Sequence, residues 1–327
     1  MGRFLVLTFV IFSLTYCKSD KKSTETTPPV QVVKLKVPAF NKDSAFSYVQ
    51  KQVSFGPRVP GTPPHSLCGD WIIEKAKSLG ANVIEQKFSG QTYTGIKFEA
   101  RNIIASYHPQ YKIRIIVAAH WDSRFEADHD PEKANRKKPV MGADDGASGV
   151  GILLELARQL QANPIPNMGV DLIFFDAEDQ GGEGNDGDDW CLGSQYWSKN
   201  KHVGGYSAKF GILLDMVGAK VPRYTKDGTS VSNAGTILDK VWNLAQKMGY
   251  GNSFVNESSP PLIDDHYFVT KISGIPMIDI INRPGNDHFV AHWHTVNDQL
   301  SQIDPETLKV TGQVVLAVIY REANGDF

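Results

Sequence analysis

The segment "IRIIVAAHWDS" (Ile113–Ser123) is a short apolar run rich in β-branched residues that ends in His120, Trp121 and Asp122. It does not alternate apolar with polar, so it reads as a strand buried on both faces, as in the interior of a parallel sheet. "VDLIFF" (170–175), "FGILL" (210–214) and "IPMIDII" (275–281) have the same character. Between them lie stretches of helical period. "GASGVGILLELARQL" (146–160) carries Val150, Leu153, Leu154 and Ala157 on one face and stops before Pro164. "NAGTILDKVWNLAQKMG" (233–249) and "PETLKVTGQVVLAVIY" (305–320) also read as helices. So do "DSAFSYVQKQVSFG" (43–56) and "PHSLCGDWIIEKAKSLG" (64–80), the latter with Leu67, Trp71, Ile72 and Leu79 near helical spacing. Strand and helix in alternation predict an α/β fold. We expect one domain with a central, mostly parallel, mixed sheet covered by helices on both faces.

In such open sheets, sites form beyond the carboxyl ends of the strands. Those ends are polar here. The first run ends in His120 and Asp122, the second in Asp176, Glu178 and Asp179, and the third in Asp215. An acid after one strand is often a loop residue or a helix cap. Three strands delivering His or carboxylate to one edge point to a site.

The chain has 327 residues, 41% hydrophobic and 21% charged, with a formal net charge of −2. That is an ordinary globular balance, and it lacks the basic face of a nucleic-acid binder. Residues 1–16 read as a secretory signal: Arg3, then the apolar "FLVLTFVIFSL", too short to cross a bilayer. "LTYC" (Leu14–Cys17) resembles a bacterial lipobox, with Tyr16 departing from the small residue usual before the cysteine. Cys17 is thus the expected lipidation site. Residues 17–40, opening with "KSDKKSTETTPP" after the cysteine, are the expected flexible tether, and 41–327 the catalytic domain. These features predict export and lipid anchoring in the periplasm of a Gram-negative bacterium, with no other membrane contact. Cys68 and Cys191 remain, and two separate buried thiols are expected.

"HWDS" supplies His120 and Asp122, "GADDGASG" supplies Asp144 and Asp145, "DAED" supplies Glu178 and Asp179, and "HWHT" supplies His294. Histidine and carboxylate without cysteine suit catalytic zinc, which takes about three protein ligands and keeps one position open. The adjacent acids of "DAED" suit a division of labour, one on metal and one facing substrate as acid or base.

From about Asp43 onward, "HWDS", "GADDGASGVGILLELAR", "FFDAED", "LLDMVG", "DDH" and "HT" occur in the order seen in the zinc aminopeptidase and glutaminyl cyclase superfamily, which the chain resembles. The resemblance implies zinc ligands at Asp145, Asp179 and His294, with Asp179 standing where many relatives have Glu. It implies a general base at Glu178, and at His120 and Asp215 the ligands of the second zinc that aminopeptidases carry. Features resembling the cyclase branch are Asp264 before Asp265-His266, Trp293 before the last histidine, and Phe289 four residues earlier. With them, Ile263 and Trp190 are expected to line the substrate pocket, Trp190 replacing an aromatic that has no aligned counterpart. The expectation is therefore one zinc per chain and an activity on peptides or proteins with N-terminal glutamine. The catalytic residues would be Glu178, Asp264 and Asp215. A zinc aminopeptidase is the alternative, and a catalytically dead binding ectodomain a more distant one. "QGGEGNDGDDW" (180–190) matches no calcium-loop spacing and reads as solvated. "SRFEADHDPEKANRKKPV" (123–140) reads as a charged loop near the site mouth, with His129 at the surface; His292 stays undecided.

Overall fold

The computed structural model describes residues 1, 2, 4, 34–182, 187–284 and 288–327. Most of the signal, Cys17 and most of the tether fall outside them. Among the described residues no helix is long and apolar enough to cross a membrane.

A compact unit spans Leu35–Phe327, so it begins six residues before the expected boundary at Asn41. The reason is packing. Phe40 is buried, and a side chain at Gly312 would collide with its ring. The carbonyls of Pro38 and Ala39 accept from Gln313 and Gln159, and Leu35 exchanges hydrogen bonds with Asn324.

In chain order the elements are α1 (Lys42–Val53), α2 (Pro63–Ser78), β1 (Asn82–Gln91), β2 (Lys97–Tyr107), β3 (Arg114–His120), α3 (Ala147–Ala162), β4 (Gly169–Phe175), α4 (Leu192–Lys199), β5 (Gly211–Asp215), β6 (Tyr224–Asp227), α5 (Gly228–Lys247), β7 (Phe254–Ser259), α6 (Asp265–Phe268), β8 (Met277–Ile281) and α7 (Pro305–Asn324). The main sheet has the order β1-β2-β4-β3-β5-β8. β4, β3, β5 and β8 are mutually parallel, while β2 runs antiparallel to β4 and β1 antiparallel to β2. The sheet is thus mixed and mostly parallel at its centre, as the apolar runs predicted.

Both faces are covered. Ile103, Val117, Ala119, Leu172, Phe174, Ile212 and Leu214 pack under α1, α2, α3, α5 and α7. Their strand neighbours Ile104, Ile116, Ala118, Ile173, Phe175 and Leu213 face the other way, against Trp197 of α4, Tyr206 and Val269. The period-2 reversal of side chains along each strand forces this division. In α2 the buried positions are His65, Cys68, Gly69, Ile72 and Ala76, and Leu67, expected inside, is 57% exposed. Cys68 and Cys191 are both free and buried, as two separate thiols. A small parallel pair, β6 with β7, stands apart from the main sheet.

Candidate active site

β4, β3 and β5 are adjacent and parallel, so their carboxyl ends meet at one edge. His120 is the last residue of β3 and pairs in register with Phe175, the last of β4. Asp215 ends β5. Glu178 and Asp179 lie in the loop after β4, and Asp145 in the turn before α3.

Those loops are shaped by buried groups. Asp122 accepts from the backbone N–H groups of Glu178 (3.1 Å) and Asp179 (3.2 Å) and from the side-chain amide of Gln180 (2.9 Å). Asp298 does the same for the other loop, accepting from Asp144 N–H at 2.8 Å and Asp145 N–H at 3.1 Å. Arg58, fully buried, donates to the carbonyls of Trp121, Met141 and Gly142 and so ties the two together. Gly146 has φ 104, and a Cβ there would collide with the Asp122 carbonyl; only glycine lets this turn close on β3. Four non-glycine residues at the site hold left-handed backbone: Ala177 (φ 55), Cys191 (φ 55), Met216 (φ 47) and His294 (φ 52). Each sits beside or at a candidate ligand or base, and such conformations cost on the order of 1–3 kcal/mol each.

Among the described residues several groups of donor atoms converge, and two of these trios share Asp145. One is Asp145, Asp179 and His294, the other His120, Asp145 and Asp215; within each trio the candidate ligand atoms lie within 4.8 Å of one another. His294 Nε2 is 2.9 Å from Asp179 Oδ1 and 3.9 Å from Asp145 Oδ2. His120 Nε2 is 3.1 Å from both Asp145 Oδ1 and Asp215 Oδ1. Asp145 Oδ2 and Asp179 Oδ2 are buried without a hydrogen-bond partner. A buried carboxylate oxygen left unpaired is costly, and a cation between the three side chains would satisfy it. Imidazole with two carboxylates suits zinc and leaves a position open. The residues therefore fit the metal. On the far side of His294, Asp128 Oδ1 stands 3.3 Å from Nδ1, and Arg124 holds Asp128 through two contacts of 2.9 and 2.5 Å. A carboxylate behind a histidine fixes ring orientation and raises its strength as a ligand.

Electrostatics set the protonation. Burial pushes Glu178 well above the usual carboxylate range; Asp179 and Asp264 add to the shift and His120 opposes it. Burial likewise raises Asp264, and it lifts Asp215 to about 8. Burial disfavours a charged His294, but Asp179 and Asp128 outweigh it and hold the ring's pKa at about 9. The charges that hold a proton there would equally hold a metal ion.

All of this opens into a cavity of about 270 Å³. Asp145, Glu178, Asp179, Trp190, Asp215, Ile263, Asp264, Phe289, Trp293 and His294 all line it, joined by Arg124, His129 and Leu262. The Trp293 indole stacks on the His294 imidazole with centroids 3.8 Å apart, and Phe289 packs on Trp293 at 4.4 Å. Trp190 lies nearly parallel to the His294 ring at 6.0 Å, with the Arg124 guanidinium 4.7 Å from its own ring centre. Gly181 permits this placement, because a Cβ there would run into the Trp190 ring. His129 is exposed at the rim and packs on Trp293 at 4.4 Å. His292 is buried, its Nε2 2.9 Å from Asp144 Oδ2, and supports the turn without joining either trio.

Sequence reasoning named Asp122 as a candidate at the site but not as a support, and it missed Asp298, Arg124 and Asp128. Asp122 and Asp298 look like any loop acid until the amides they accept are seen. Arg124 and Asp128 sat in the stretch read as a charged loop, and that charge next to "HWD" was the available signal.

Residues 102–319 match the family described as Peptidase family M28. The solved structure of Bacteroides thetaiotaomicron glutaminyl cyclase bound to N-acetylhistamine is 48% identical to this chain. It covers 87% of this chain and 99% of its own, with a TM-score of 0.84. A second structure from that organism, described as a leucine aminopeptidase precursor, is 47% identical over 88% of this chain and 99% of its own, with a TM-score of 0.83. The curated glutaminyl-peptide cyclotransferase of Drosophila melanogaster is 26% identical over 275 residues, 77% of this chain and 73% of its own length.

Proposed function

The chain belongs to peptidase family M28, and within that family we infer that it is a glutaminyl-peptide cyclotransferase, converting N-terminal glutamine of peptides and proteins to pyroglutamate with release of ammonia. One observation carries the reading. Glu178 and Asp264 face a single small cavity walled by Trp293 and Phe289, with candidate ligand atoms of the two acids within 4.8 Å of each other.

The α-amine attacks the γ-carbonyl carbon of its own residue. A five-membered lactam forms, the γ C–N bond breaks and ammonia leaves. Glu178 takes a proton from the attacking amine and returns one to the departing nitrogen; its raised affinity for protons suits both directions. Asp264 hydrogen-bonds the departing nitrogen, and Asp215 completes the carboxylate network. Trp293, Phe289, Trp190 and Ile263 fold the side chain back on itself. An oriented intramolecular nucleophile gains effective molarities of roughly 10⁵–10⁸ M. Asp145, Asp179 and His294 would hold one zinc per chain, which when bound supplies Lewis acidity toward the γ-carbonyl oxygen. Export and lipidation at Cys17 belong to the same proposal, supported by the sequence of residues 1–17.

The trio of His120, Asp145 and Asp215 favours a second reading, a two-metal aminopeptidase. Mass spectrometry of a Gln-peptide separates the two. Cyclisation removes ammonia and keeps every residue, whereas an aminopeptidase removes the first residue whole. Release of free N-terminal residues without ammonia would overturn the cyclase reading.

A further inference from the structure

Cys191 is fully buried, and its Sγ stands 3.3 Å from Glu178 Oε1 with the geometry of an S–H···O hydrogen bond. The same residue donates its backbone N–H to the Glu178 carbonyl at 2.8 Å, and its neighbour Leu192 donates to the Ala177 carbonyl at 3.0 Å. One cysteine thus holds both the main chain and the carboxyl group of one glutamate. The contact is shaped on both sides: Cys191, capping α4, and Ala177, preceding Glu178, each have φ 55. Among the described residues no other group donates to the Glu178 carboxyl, whose residue lines the cavity.

We propose that Cys191 is a positioning residue for the cyclisation, its thiol donating to Glu178 Oε1 so that Oε2 is aimed at the substrate. This rests on Glu178 being the general acid and base. A carboxyl group turns freely about its last bond, and one hydrogen bond removes that freedom. A thiol is a weak donor, so it fixes orientation while taking little basicity from the oxygen it holds. Burial first, then the Glu178 charge, keeps the thiol protonated, so it stays a donor. An apolar side chain of the same volume would fill the space and leave Oε1 unpaired.

The test compares Cys191→Ala and Cys191→Ser in the full-length protein. Removing a hydrogen bond of this kind should lower kcat about three- to tenfold with KM within about twofold, and the serine hydroxyl should restore kcat to within about twofold of wild type. Zinc content should not change. A kcat unaffected by alanine overturns the proposal, and so does a serine variant as impaired as the alanine one, because both results would leave Cys191 as packing only. Infrared spectroscopy gives a readout independent of turnover, taken on variants shown by circular dichroism to be folded. The S–H stretch of Cys191, assigned by its loss in Cys191→Ser, should move to higher frequency in Glu178→Ala. An unmoved band overturns the proposal. Wild-type protein that releases no ammonia would defeat the functional reading alone, and the infrared shift would still decide the hydrogen bond.

Discussion

Replacing Asp122 should damage stability and catalysis together, although it need not touch the substrate. Its carboxylate is fully buried and accepts three hydrogen bonds, two of them from the N–H groups of Glu178 and Asp179. Burial works against its charge, but His120 and the donors around Asp122 win and keep it ionised below the usual range. Hydrogen bonds to a charged group contribute about 1.5–3 kcal/mol each, and donors left unpaired in the interior cost about 1–3 kcal/mol. Three such bonds to one group do not add in full, so Asp122→Ala should cost about 3–5 kcal/mol. At roughly 2 °C per kcal/mol for a domain this large, Tm should fall by about 6–10 °C. Asp122→Asn keeps one acceptor oxygen but turns an amide donor toward a backbone donor, and should cost about half as much. Both variants free the loop that aims Glu178, and a shift near 1 Å there is worth about 10²-fold in kcat. Thermal melts and ammonia release measure the two effects on the same samples. A Tm within about 2 °C of wild type and a normal kcat in Asp122→Ala would show that the loop holds itself.

Glu178→Gln should keep fold and zinc while losing about 10²–10⁴ in turnover, the usual contribution of general acid–base catalysis; loss of zinc instead would exchange the roles of Glu178 and Asp179. His294→Ala should abolish bound zinc by elemental analysis, where wild type should hold about one equivalent; two equivalents, both needed for activity, would favour the aminopeptidase reading. Trp293→Ala removes the ring stacked on His294 and should lower kcat/KM by about 10²-fold, chiefly through weaker substrate binding. The Cys68 thiol, pushed up to about 12 by burial from 9.0, predicts an alkaline limb. Between those values the folded state keeps the proton that the unfolded state has lost, so stability falls as pH rises, by up to about 1.4 kcal/mol per pH unit. Denaturation midpoints from pH 9 to 11 should drop less steeply in Cys68→Ala.

The sheet centre was legible because β3, β4, β5 and β8 are buried on both faces, which leaves unbroken apolar runs. β1 was not: "NVIEQKFSGQ" pairs on one side only, and its buried and exposed residues follow no clean alternation. The face of α2 was misjudged at Leu67 because Cys68 and Ala76, small and weakly apolar, carry the packing that a larger residue advertised. Of the ligand and pocket positions suggested by the motifs, all but His120 line one cavity, since strand ends and glycine turns announce themselves locally. What supports them does not. Asp298 reaches Asp144 across 154 positions of sequence, and nothing near either residue marks the pairing.

The left-handed residues at Ala177, Met216 and His294 bear on when the chain can become active. None of those loops prefers its native shape in isolation, so a peptide cut from any one of them would relax to another. Only the finished sheet and its buried acids impose the geometry. The last such residue, His294, is also a proposed ligand, and it follows Asp179 by 115 positions of sequence. A growing chain can therefore close no complete metal trio around Asp179 until its final helix is about to be synthesised. Any fragment ending before His294 should therefore hold no zinc at Asp179, however much of the sheet it contains.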